Sequence, residues 1–152
     1  MWRMASILKK DLPEGKRALD QWKATALQAA DGKVSGGNAG NNAGGHADDA
    51  ASPDALPRRV WAMAVRYSLF LMEHKAPGEG VEVRVAPWGA IKILDGPASD
   101  PHNLTPPDVI ELEPDVWLNL VCGLTTWAEE KAAGHITAVG ERDDLSDLLP
   151  LV

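Results

Sequence analysis

The chain has 152 residues, a formal net charge of −7, 45% hydrophobic and 24% charged side chains, and a single cysteine. That acidic balance argues against a polyanion binder, because affinity for nucleic acid or anionic headgroups needs clustered Lys and Arg. One cysteine, Cys122, excludes an internal disulfide framework and a Cys-based zinc cage. The longest apolar run, from Val60, is broken by Arg66, well short of the ~18 residues of a bilayer span. The opening MWRMASILKK lacks the apolar stretch of a secretory signal. A cytoplasmic protein of one main domain is expected.

In chain order, the first expected element is a helix. Asp11 and Glu14 have capping-box spacing, Pro13 suits a first turn, and Ala18, Leu19, Trp22, Ala26 and Ala29 recur near a 3.6 period. Asp31-Gly32 is expected to stop it. Alone this helix is too short of partners to be stable, so residues 1–30 should dock through Leu19 and Trp22 on the main domain. Residues 31–54 carry six of the fourteen glycines and almost nothing to bury, and read as a flexible linker or loop. The charge splits there. Residues 1–55 balance seven basic against seven acidic groups, whereas residues 56–152 hold eight basic and fifteen acidic ones.

Residues 55–152 form the expected main domain. Pro57 opens a helix with Val60, Met63, Ala64, Tyr67, Phe70 and Leu71 at i, i+3/i+4 spacing, ended by the run Lys75 to Gly78. Val81 to Val85 alternates with period two, the mark of a half-buried strand. Pro87 and Gly89 punctuate before a second strand, Ala90 to Leu94, and Val109 to Leu112 forms a third. Pro114 starts a helix through Trp117 and Val121 that stops at Gly123, and Thr126 with Glu129 opens another that ends at Gly134. Ile136 to Val139 is a fourth strand, and Leu145 to Leu149 a last short helix. Strands grouped together and helices grouped together predict an α+β fold. The sheet should be antiparallel-rich, of four to five strands, covered on one face by helices.

The runs EVRVAPWGAIKILDGP, TPPDVIELEPDVWLNLVCG and TTWAEEKAAGHITAVGERDDLSDLLPL resemble the actinobacterial branch of the sterol-carrier-protein family. Shared with it are a valine strand leading to Pro-aromatic, a Thr-Pro-Pro segment and an acidic-Pro-x-x-Trp-Leu helix. A closing Gly-Glu-Arg-x-Asp-Leu-Ser-x-x-Leu-Pro completes the likeness. DLPEGKRALDQWKATA and AVRYSLFLMEHKAPG look similar to the same branch. The resemblance implies a helix-covered sheet enclosing an apolar tunnel for lipid or fatty-acyl groups. The departure is at Ala98 to Leu104, where relatives more often carry a His-Thr-Arg-Gly-like run that could meet a headgroup.

Chemistry has few footholds here. Cys122 lies among Leu120, Val121 and Gly123, which predicts a buried inert thiol, and no G-x-S-x-G or phosphate-binding glycine loop occurs. His46, His74, His102 and His135 share no metal-ligand spacing. Glu141, Asp143 and Asp144 around Arg142 read as a solvated turn with a helix cap. No catalytic residue, metal or cofactor is expected. Six of the eight aromatic residues are tryptophan, and such rings suit both core packing and a pocket wall. The resemblance makes Met63, Tyr67, Val83, Trp88, Trp117, Val121, Trp127 and Leu148 the candidates for an apolar cavity, with the last helix as a lid. The partner is then a lipid, sterol or fatty-acyl group, without nucleic acid or stable membrane insertion, in a monomer or homodimer. An accessory domain of a thiol-dependent isomerase or transferase is the enzymatic alternative. A filled-core interaction module is the third.

Overall fold

A computed structural model describes residues 7–35, 52–96 and 108–152. The expected linker falls largely at 36–51 and the Ala98 to Leu104 departure within 97–107, both outside the described residues, as are Trp2, His46 and His102.

The elements are α1 (Leu12–Ser35), α2 (Arg58–Lys75), β1 (Pro77–Val85), β2 (Gly89–Ile93), β3 (Asp108–Leu112), α3 (Pro114–Val121), α4 (Trp127–Ala132) and β4 (Ile136–Val139). Short 3-10 turns occupy Lys9–Asp11, Pro53–Ala55 and Ser146–Leu148. The fold is α+β, as expected. Its four-stranded sheet has the order β2-β1-β3-β4. Two strand pairs are antiparallel, β1 with β2 and β3 with β4, but the central pair, β1 with β3, is parallel. The sheet is therefore mixed. Nothing in a strand's own alternation distinguishes the two directions, because the side-chain period is 2 in both.

The alternation of β1 does its work in three dimensions. Val81, Val83 and Val85 are wholly buried, together with Ile91 and Ile93 from β2 and Ile110 and Leu112 from β3. On that face α2 and α3 supply Leu69, Met72, Trp117, Leu118 and Val121. The other face carries Glu82, Arg84 and Glu111, where Arg84 bridges the two carboxylates at 2.7 and 3.3 Å. Residue Leu94, just beyond β2, has φ 62°, unusual for a branched side chain. Backbone hydrogen bonds hold it on both sides, from its N–H to Ala76 O and from Gly80 N–H to its own carbonyl.

The N-terminal helix packs against α2. Leu19 and Trp22 are buried, and Gly15 faces Tyr67 so closely that an added Cβ would come within 2.8 Å of the Tyr67 Cβ. Glu14 does not close the expected capping box. Its carboxylate receives two hydrogen bonds from Arg59 of α2, at 2.6 and 2.9 Å. That pairing holds the Glu14 carboxyl below its usual range, chiefly through the hydrogen bond. Asp11 instead ends a 3-10 turn that leads into the helix.

Two further expectations are corrected. The helix does not stop at Asp31-Gly32 but runs to Ser35, so the first part of the expected linker is helical. Gly32 is exposed and a Cβ there would meet nothing, so the position costs the helix only a modest amount. The last helix shrinks to the 3-10 turn Ser146–Leu148. Leu145 holds the N-cap position without a side-chain bond, and Asp144, one residue earlier, accepts from Ser146 N–H at 2.8 Å. With Pro150 two residues beyond, no second turn can form.

By contrast, Thr126 caps α4 as expected, although Glu129 answers its hydroxyl rather than its backbone N–H. Glu129 N–H donates to Thr126 Oγ1 at 3.2 Å, and the hydroxyl donates to the Glu129 carboxylate at 3.0 Å.

Candidate functional site

The residues named for an apolar cavity fall into three places. Met63, Val83, Trp117, Val121 and Trp127 lie in the closed core, each at most 5% exposed. Tyr67 is half-buried between α2 and α1, stacked near Phe70 with ring centres 6.3 Å apart. Leu148 lies in the C-terminal segment, where its carbonyl accepts from Lys75 Nζ at 2.8 Å. That segment returns to α3, since the N–H groups of Leu151 and Val152 both reach Val121 O. Trp88 opens onto a surface groove.

That groove has a volume of about 410 Å³ and is lined by Asp54, Leu56, Arg58, Trp61, Trp88, Pro114 and Asp115. Its construction is local. Pro87-Trp88 lies in the turn between β1 and β2, a position that presents the indole beside the start of α2. Trp61, one turn into α2, stacks on Trp88 with centres 6.4 Å apart and planes 22° from parallel. Its indole N–H donates to Pro53 O at 2.9 Å, which fixes the ring. Behind it, Trp22 of α1 meets Trp61 edge-on at 5.6 Å. The Arg58 guanidinium sits 5.7 Å above the Trp88 ring, a cation–π contact. Two half-buried indoles, Leu56 and Pro114 thus form an apolar wall with charge at its rim.

A second cleft, about 570 Å³, opens beside the first. It is more polar, with Arg84, Glu111, Glu113, Asp115, His135 and Thr137 around Leu112 and Val116. His135 Nδ1 lies 2.7 Å from Glu130 Oε2, and Glu130 is buried, so the ring is oriented by a carboxylate. Asp115 lines both clefts.

Among the described residues, no hydrogen bond joins a nucleophile to a base in either cleft. Cys122 is buried, and burial pushes its thiol up to about 11, with Lys23 opposing slightly. A maleimide should therefore label it roughly two orders of magnitude more slowly in the native protein than in denaturant at neutral pH. Equal rates would mean that the thiol is open to solvent. Among the described residues no group of three His, Cys, Asp or Glu side chains is placed to hold a metal ion. No described helix is long and apolar enough to cross a membrane.

The groove was half legible. The density of tryptophan and the family resemblance flag Trp88, whereas Trp61, Arg58 and Asp115 carry no signal of a shared groove and Pro114 signals only a helix start. A Trp four residues after the helix-opening Pro57 and another at a Pro-Trp-Gly turn carry no periodicity that would join them.

No curated protein matches the chain. Residues 57–151 match the protein family described as bacterial SCP ortholog, SCP being sterol carrier protein, and they include every described strand, α2 to α4 and both tryptophans of the groove. With well over half of its length in that match, the chain belongs to the bacterial sterol-carrier-protein family.

Proposed function

We propose that this protein binds an apolar or acyl ligand, and carries it without turning it over. Family membership supports lipid binding or transfer in general terms. The observation that carries the reading for this chain is the Trp61 and Trp88 pair, two stacked indoles left half-exposed on a groove while the neighbouring core is closed. Exposed paired rings lose hydration only when something apolar covers them.

On this reading residues 57–151 do the binding, and α1 buttresses Trp61 from behind through Trp22. Trp88 is the entrance. Met63, Tyr67, Val83, Trp117, Val121 and Trp127 line the deeper path that opens if the C-terminal segment around Leu148 swings out, as terminal segments do at low cost. The site of action is the cytoplasm, and no cofactor takes part.

Trp88→Ala should weaken binding of a fluorescent acyl probe about tenfold or more, since a buried large apolar side chain contributes about 1.5–3 kcal/mol. Unchanged affinity in a folded variant would remove the groove from the site. The packed state of the named core residues favours a second reading, an interaction module with no ligand. Native mass spectrometry separates the two. A co-purifying acyl species supports the carrier, and lipid-free protein that also ignores the probe supports the module.

A further inference from the structure

We propose that the aromatic groove and the polar cleft beside it form one continuous seat for a single-chain amphiphile with a cationic head, of the alkylammonium kind. The inference rests on the apolar-ligand reading above and adds the chemistry of the head.

Continuity comes first. The first turn of α3 stands between the two clefts, and Asp115 lines both of them. A chain lying along Trp61, Trp88 and Pro114 therefore ends beside Asp115, at the mouth of the polar cleft.

Charge then selects the head. The combined lining holds four carboxylates, Asp54, Glu111, Glu113 and Asp115, against the two guanidiniums of Arg58 and Arg84. Arg84 is shared between Glu82 and Glu111, whereas Arg58 lies over the Trp88 face and, among the described residues, is the cation of the lining that keeps its charge unpaired, which still leaves carboxylates in excess. Among the described residues, Glu113 and Asp115 have no cationic partner, and both are exposed. Asp115 also complements the helix dipole in the first turn of α3, but Glu113 makes no capping bond with its side chain. An anionic head would meet an unscreened negative rim, and an ammonium would find two carboxylates.

The test compares decylammonium, decanoate and decanol by titration calorimetry on the full chain, at low salt and at physiological salt. Decylammonium should bind about tenfold tighter than decanoate at low salt, and the gap should shrink as the screening length falls to ~8 Å. Glu113→Gln and Asp115→Asn should each narrow that preference several-fold, with a urea midpoint measured alongside to separate lost helix stability from lost binding. Decanoate binding as well as or better than decylammonium would overturn the cationic head and leave the apolar reading standing. If none of the three bound, both inferences would fall together. An ammonium preference untouched by either substitution would place the head elsewhere and overturn the proposed seat.

Discussion

Replacing Trp117 by alanine should cost about 3–5 kcal/mol and move the urea midpoint far toward zero, because domains of this size have only about 5–15 kcal/mol in total. Trp117 is fully buried where α3 meets α2. Its indole N–H donates to Ser68 Oγ at 2.8 Å, and that hydroxyl donates in turn to Val65 O at 2.8 Å. Alanine removes the bicyclic ring and the hydrogen bond together. Phenylalanine keeps most of the apolar volume and loses chiefly the bond, so Trp117→Phe should cost about 1–3 kcal/mol. Ser68 stays satisfied through Val65 in both variants. If alanine and phenylalanine gave the same midpoint, ring volume would not be what holds α3 to α2.

The second large effect is expected at Gly140, which follows β4 and has φ 112°. A Cβ there would fall inside the contact distance of Asp108 Oδ1 and lie 2.9 Å from the Asp108 Cα. Asp108 is buried at the start of β3, and its Oδ1 accepts from Glu141 N–H at 2.9 Å. Gly140→Ala therefore combines backbone strain of about 1–3 kcal/mol with displacement of a buried, bonded carboxylate. A total loss of about 3–5 kcal/mol is expected by thermal or chemical unfolding. Gly32 provides the control of opposite sign. It is exposed inside α1 with open space where a Cβ would go, so Gly32→Ala should stabilise by about 0.4–1 kcal/mol. A Gly140→Ala protein as stable as the parent would mean that the β4 end is not anchored through Asp108.

These two positions also mark where sequence reading succeeds and where it stops. Trp117 was legible because Pro114, Val116, Trp117, Leu120 and Val121 carry the helix period and leave one apolar face to bury. Likewise the period-two valines of β1 identify the buried face of the sheet without further help. Asp108 and Gly140 were not legible as neighbours, since the bond that brings them together runs from Glu141 N–H to Asp108, joins residues 33 apart and belongs to no local pattern. The overrun of α1 past Gly32 and the loss of the last helix are boundary effects, set by a solvent-exposed glycine and a nearby proline. In the groove, one of two stacked indoles was flagged by composition. Arg58, Pro114 and Asp115 became neighbours only through the turn between β1 and β2 and the start of α3.

The parallel central pair sets the order in which the chain can fold. The helix α2 and the hairpin of β1 and β2 are local in sequence and can form early, but β3 reaches β1 only after residues 86–107 have passed. Closing that connection costs entropy before it returns any contact, which makes β3 the late arrival and β4 later still. Until then one edge of β1 stands unpaired, beside valines that are wholly buried once folding is complete. Charge on the outer face of that early hairpin, Glu82 and Arg84 of β1 with Lys92 opposite Glu82 in β2, opposes pairing with its copies.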